Sequence, residues 1–342
     1  MPLKQYGRVL SGSEEAIHEA FESLSGIPVD MEWPAEPGAS DGYSAHCTTL
    51  GESAAISGPG TYFGKAERTL TFRPSQESGW WFERSDLPDS LPIRVSVRNV
   101  WTTVRNIVLL SGSPHNYMRM VEHIIALKVG MGLDNVVIAV ESGDPPLFDR
   151  GSMDLVEAVE RAGIVETGEL ATFLTVREPV SVGGANGSFL TFLPAENGSR
   201  DLHIDCTVDF RNAIGRQRTR FKVDNRSFRH GALARTNTDF WTMVYCRTIG
   251  KIFADVRNLG YTRDNILVAG RREYFNEAKL IHEGKSLEAV WHRAALDLLA
   301  AVALIDRGRL AGEIVSYKAG HALDVSMVAS LYRHDLLEPV AQ

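Results

Sequence analysis

The stretch Asn116-Tyr117-Met118-Arg119-Met120-Val121-Glu122-His123-Ile124-Ile125-Ala126-Leu127-Lys128-Val129-Gly130 is followed, after a short turn, by Val136-Val137-Ile138-Ala139-Val140. The first run predicts a helix over 116–130, and the second, β-branched and apolar, predicts a buried strand. Within the helix a carboxylate stands beside an imidazole, Glu122-His123, among apolar neighbours. Burying two ionisable groups is costly unless something pairs them, and a metal ion or a reacting substrate can do so.

The flanking sequence extends the same pattern. Thr69–Pro74, Trp80–Phe82 and Ile93–Val97 read as strands before the helix, and Asp154–Gly163 reads as a helix after the buried strand. The second half repeats this order. Strands are expected at Phe173–Val176, Ser188–Leu193, Leu202–Phe210, Arg218–Val223 and Asn265–Val268, with Tyr245–Phe253 either strand or loop. A helix from Leu287 to about Asp306, a strand at Glu313–Tyr317 and a helix from Ala322 to Leu331 follow. This order predicts an α+β fold of two similar domains, residues 47–167 and 168–342. Each is a mainly antiparallel sheet packed on helices, with the helices layered between the sheets. Residues 1–46 read as an N-terminal extension. It carries a short helix over Ser13–Leu24, with Ser11 or Ser13 as cap and Ile17, Phe21 and Leu24 on one face, and then a Pro/Gly-rich linker at 34–42.

Composition narrows the function classes. Across 342 residues the hydrophobic fraction is 44% and the charged fraction 23%, values of a soluble globular protein. A formal net charge of -7 argues against broad nucleic-acid binding. The widely separated Cys47, Cys206 and Cys246 form no CxxC pair and predict reduced thiols in a cytoplasmic protein. No apolar run is long enough to predict a membrane span, and the N-terminus lacks a signal-peptide core.

Two more histidines stand in pointed settings, His292 in Trp291-His292-Arg293 and His321 in Lys318-Ala319-Gly320-His321-Ala322-Leu323. A catalytic zinc takes three protein ligands and leaves a position for water, and a neighbouring carboxylate accepts that water's proton. Glu122 and His123 offer the base and one ligand, His292 a second ligand, and His321 a proton donor after a glycine. Hydrogen-bonded structural histidines remain an open alternative from composition and spacing alone.

Several segments, taken in order, resemble one family. Val121-Glu122-His123 with Gly132-Leu133-Asp134-Asn135-Val136-Val137-Ile138 is similar to the zinc-ligand segment of UDP-3-O-acyl-N-acetylglucosamine deacetylases of lipid A synthesis. Gly58-Pro59-Gly60-Thr61-Tyr62-Phe63-Gly64 with Thr69–Pro74, Pro146-Leu147-Phe148-Asp149 with Gly151-Ser152, and Asp209-Phe210 with Ala213-Ile214 and Gln217 agree in order. So does Tyr317-Lys318-Ala319-Gly320-His321-Ala322-Leu323, and the likeness covers roughly 47–335. The resemblance implies a Zn2+ enzyme that removes the N-acetyl group from a UDP-linked 3-O-acyl-glucosamine. It implies Glu122 as general base, His123 and His292 as ligands, and Thr248 helping to polarise the substrate carbonyl. His321 would be the cationic acid, and Lys318 and Arg293 would face the nucleotide diphosphate. It also implies an apolar channel for the acyl chain and a monomer. The stretch from Asp255 to Val268 is short and polar, so chain length is not legible there.

The sequence departs from that pattern where the third ligand is expected. The family places an aspartate four residues after the second histidine. Here that position is Leu296, and the aspartate is Asp297. Five residues on a regular α-helix separate two side chains by about 140°, so Asp297 joins the metal set only if the helix carries a π-bulge. A further family aspartate that holds the acid histidine corresponds to Ala300 or Ala301. Tyr62 stands for a histidine, and Ile249 for a phenylalanine. Three readings follow: a zinc deacetylase with Asp297 as third ligand, a deacetylase of another N-acylated sugar, or an inactive paralogue that binds a nucleotide-sugar or lipid or regulates the pathway.

Overall fold

The computed structural model describes residues 6–33, 43–60, 66–239 and 264–340. Among these residues the secondary structure is mixed, α and β, with several sheets and six helices. In chain order the helices are α1 (Glu14–Ser25), α2 (Glu122–Gly130), α3 (Met153–Ala162), α4 (Asn225–Gly231), the composite α5 and α6 (His321–Arg333). The composite α5 runs through an α turn at Glu288–Trp291, a π segment at His292–Leu298 and a second α segment at Leu299–Ala303. No helix among the described residues is long and apolar enough to cross a membrane.

A five-stranded sheet takes the order Ala54–Pro59, Glu67–Pro74, Val136–Val140, Trp80–Arg84, Ile93–Arg94. Its centre is the strand expected from Val136 to Val140. It runs antiparallel to one neighbour, with Ile138 opposite Phe72, and parallel to the other, with Ile138 opposite Phe82. Val136, Ile138 and Val140 alternate into the core, as the two-residue period of a strand requires. A seven-stranded sheet holds Arg8–Ser11, Val180–Gly183, Phe189–Leu193, Gly312–Tyr317, Leu202–Asp209, Arg216–Lys222 and Met31–Glu32 in that order. The pairing expected between the strands near 202–210 and 218–223 is present, with Cys206 opposite Thr219.

Both edge strands of the larger sheet come from the segment read as an extension. Arg8–Ser11 pairs parallel with Val180–Gly183, and Met31–Glu32 pairs parallel with Arg216–Lys222. Helix α1 begins at the Ser13 cap, whose hydroxyl accepts from the Ala16 amide. It lays Ile17, Ala20 and Leu24 on Phe189, Val315 and Tyr317 of that sheet. The linker at 34–42 lies outside the described residues.

Two expected elements change their bounds for identifiable reasons. The helix expected from Asn116 starts only at Glu122, because Tyr117–Met118 pairs with Leu109–Leu110 as a strand and Met120 turns through a positive φ of 50°. Glu122 and His123 thereby become the first two residues of α2. The long helix expected from Leu287 to Asp306 forms over most of that span, but its middle is a π-helix. Close approach of α4 helps to seat it. A Cβ on Gly231 would come within 2.3 Å of the Ala295 methyl, and one on Gly130 within 2.1 Å of the Phe228 ring. The strand or loop at Tyr245–Phe253 lies outside the described residues.

Candidate metal-dependent active site

Three helices deliver the polar residues to one cleft. The first turn of α2 presents Glu122 and His123, the π segment of α5 presents His292 and Asp297, and the first residue of α6 is His321. All five line one cavity, together with Arg105, Asn106 and the Pro145–Phe148 loop. The π segment brings Asp297 to it. In a π turn, residue i+5 stacks over residue i, so the five-residue step from His292 returns to the same face. Leu296, at the four-residue step, is instead fully buried in the core.

The five side chains stand close to one another. Nε2 of His123 lies 3.2 Å from Nε2 of His292. Asp297 Oδ1 lies 3.5 Å from His292 Nδ1 and 3.9 Å from His321 Nε2. His321 Nε2 is also 3.7 Å from Glu122 Oε1. That same carboxylate oxygen accepts the Ile107 backbone N–H.

Burial sets the protonation states. Burial, followed by the neighbouring His292, pushes the His123 imidazole down to about 3, so at neutral pH it is uncharged with a lone pair to offer. Burial also raises Glu122, although His321 and two backbone N–H groups pull it down, which suits a carboxylate that must take up a proton. For Asp297, burial acts upward, but His292 and His321 outweigh it and hold the carboxyl well below the usual range. Burial disfavours the His321 cation, yet Asp297 and Glu122 more than offset it and raise that imidazole above its ordinary value.

Two imidazole nitrogens 3.2 Å apart, one of them on a histidine held neutral, with an ionised aspartate beside them, fit the donor chemistry of a zinc site. The side chains as they stand do not gather three such donors into one ready-made group among the described residues. Asp297 leans on the Nδ1 edge of His292 rather than between the two Nε2 atoms. The backbone of the π segment does place Asp297 on the same cleft face as His292.

The other expected site residues divide into three groups. Lys318 and Arg293 wall an adjoining part of the cleft that shares His292, Asp297 and His321. The Lys318 ammonium lies 3.4 Å from Asp209. Arg293 is buried, its Nε donating to the Ala319 carbonyl at 2.9 Å and its Nη2 to Asp324. Thr248, Ile249 and Tyr62 lie outside the described residues. Ala300 and Ala301 are buried apolar contacts of the core. Asp324 was not anticipated as part of the cluster; the available signal was a carboxylate three positions after His321 in the first turn of a predicted helix.

A family model described as UDP-3-O-acyl N-acetylglycosamine deacetylase matches residues 47–333. The chain belongs to that family. Its relatives include the proteins named UDP-3-O-acyl-N-acetylglucosamine deacetylase of Brucella ovis, Brucella canis and Brucella suis. Each is 27% identical over 289 residues, covering 84% of this chain and 96% of the relative. The chain is thus a divergent member of a deacetylase family, a class of hydrolases.

Proposed function

We propose that the protein is a zinc-dependent deacetylase that hydrolyses the N-acetyl group of a UDP-linked 3-O-acyl-glucosamine in lipid A biosynthesis. The observation that supports this reading is the π segment of α5, which turns Asp297 back to the face of His292, while His292 meets His123. His123, His292 and Asp297 would hold the ion. Zinc bound there supplies a Lewis acid and a lowered pKa for water.

The chain's own residues do the proton work. Glu122 takes a proton from the water whose oxygen adds to the acetyl carbonyl carbon. His321, across the cleft, faces the developing oxyanion as a cation and gives its proton to the sugar nitrogen as the C–N bond breaks. Acetate and a free amine result. Thr248 would assist in polarising the carbonyl. Lys318 and Arg293 would meet the diphosphate. We take residues 47–167 and 168–342 as two domains that meet at this cleft with their helices layered between the sheets, in a monomeric cytoplasmic protein.

Release of acetate from UDP-3-O-acyl-N-acetylglucosamine tests the reading. Turnover that a chelator abolishes and added zinc restores is expected. A folded, zinc-loaded protein without turnover on this substrate would overturn it and favour an impaired paralogue or a different N-acyl sugar.

A further inference from the structure

Besides Nη1 of Arg293, two buried polar atoms beside the cleft have no hydrogen-bond partner, Nδ1 of His321 and Oδ2 of Asp324. They are complementary, one a nitrogen that can carry a proton and the other a carboxylate acceptor. They belong to the first and fourth residues of α6, positions that neighbour each other on one helix face. Left apart, each carries a desolvation cost that no hydrogen bond recovers. The other ends of both side chains are already committed. Nε2 of His321 faces Glu122 and Asp297. Oδ1 of Asp324 is taken by Nη2 of Arg293, whose Nε grips the Ala319 carbonyl in the loop leading to His321. On the facing helix, Ala300 and Ala301 have no polar side-chain atom to offer.

We propose that Asp324 is the positioning residue of His321. Its Oδ2 accepts the Nδ1 proton, directly or through one bridging water, while Arg293 clamps Oδ1. The Arg293–Asp324 pair then fixes the rotation of the imidazole and aims Nε2 at the leaving nitrogen. Arg293 acts on His321 only through this carboxylate and the Ala319 carbonyl. This assignment rests on the proposed deacetylation for its kinetic consequence but not for its spectroscopic one.

Nitrogen-15 spectra of the histidine side chains in the full chain test it, with the His321 signals assigned by their loss in His321→Gln. A slowly exchanging, downfield Nδ1–H proton is expected for His321. In Asp324→Asn the amide oxygen stays on Arg293 and the NH2 turns to Nδ1, so that proton signal disappears. In the acetate-release assay the same variant loses kcat by about tenfold or more, as when the carboxylate behind a catalytic histidine becomes an amide, with KM changing by less than about twofold. If Asp324→Asn does not fold, Arg293→Lys frees Oδ1 from its planar clamp, and Nδ1–H exchange should accelerate in the folded protein. An Nδ1–H signal that persists unchanged in Asp324→Asn or Arg293→Lys, or an unchanged kcat in folded Asp324→Asn, overturns the assignment. A parent chain without acetate release would defeat the proposed function while leaving the proton signal to decide this one.

Discussion

Deleting Ala295 from the π segment asks directly whether that segment is a one-residue insertion tuned to the site. In a regular α-helix, a deletion rotates everything beyond it by about 100°. Here that would swing Leu298, Leu299 and Val302, all buried, off the core. At about 2–5 kcal/mol for each large side chain lost from the core, the sum would rival the roughly 5–15 kcal/mol stability of a whole protein. A π segment responds differently. Removing one residue converts its i+5 hydrogen bonds to i+4 bonds and leaves both flanking α segments in register. The expected cost is the repacking of Leu296 and of the Gly231–Ala295 contact, about 1–3 kcal/mol, or a few degrees in Tm. The aspartate then stands four residues after His292, still on the cleft face. Thermal unfolding and zinc analysis of the purified deletion variant should show a folded protein that keeps its metal. An unfolded protein, or a folded one without zinc, would refute the view that the π turn exists to carry Asp297 round.

Other consequences follow from individual groups. Glu122→Gln should lower kcat by about 100-fold or more, the usual range for loss of a general base. Because burial raises the Glu122 carboxyl, its ionisation costs the metal-free fold stability as pH rises through the folded value, so the glutamine variant should melt at or above the parent temperature at pH 7. Glu288→Ala removes the buried partner that Arg235 holds at 2.6 Å and should cost about 3–5 kcal/mol in chemical denaturation. His123 is held at about 3 in the folded chain against an ordinary 6.5, so the unfolded chain binds the extra proton between those values. Metal-free protein should therefore lose stability as pH falls from about 6.5 towards 3, and His123→Gln should flatten that part of the profile.

The parts of the site legible in the sequence are those whose chemistry is local. Glu122-His123 stands out as an ionisable pair in an apolar run and His321 as an imidazole after a glycine, and the structure brings Glu122 and His321 within 3.7 Å of each other. His292 was readable from its own setting only as a lone histidine in an apolar helix, and its meeting with His123 across 169 positions was expected from the chemistry of a zinc site and the family resemblance, not from any local pattern. Asp297 was legible only conditionally. Spacing stated what the helix would have to do, but a π turn depends on how Ala295 meets Gly231 and how Leu296 fills the core, which are tertiary contacts. The same limit applies to the N-terminus. Its helix and cap were readable from Ser13, Ile17 and Leu24, whereas Arg8–Ser11 and Met31–Glu32 become strands only because a distant sheet offers them open edges. Asp324 went unread because a carboxylate in the first turn of a helix is ordinary there, and only its ion pair with the buried Arg293 ties it to the cleft wall.

Zinc content of purified protein tests the central claim most directly, measured for the parent chain, for Asp297→Ala, and for the double variant Leu296→Asp/Asp297→Ala. The parent should carry near-stoichiometric zinc, and Asp297→Ala should lose it. The double variant should not regain it, because position 296 points into the core in the π turn. Zinc retained by Asp297→Ala, or restored by an aspartate at 296, would contradict the assignment of Asp297 as the residue that completes the site.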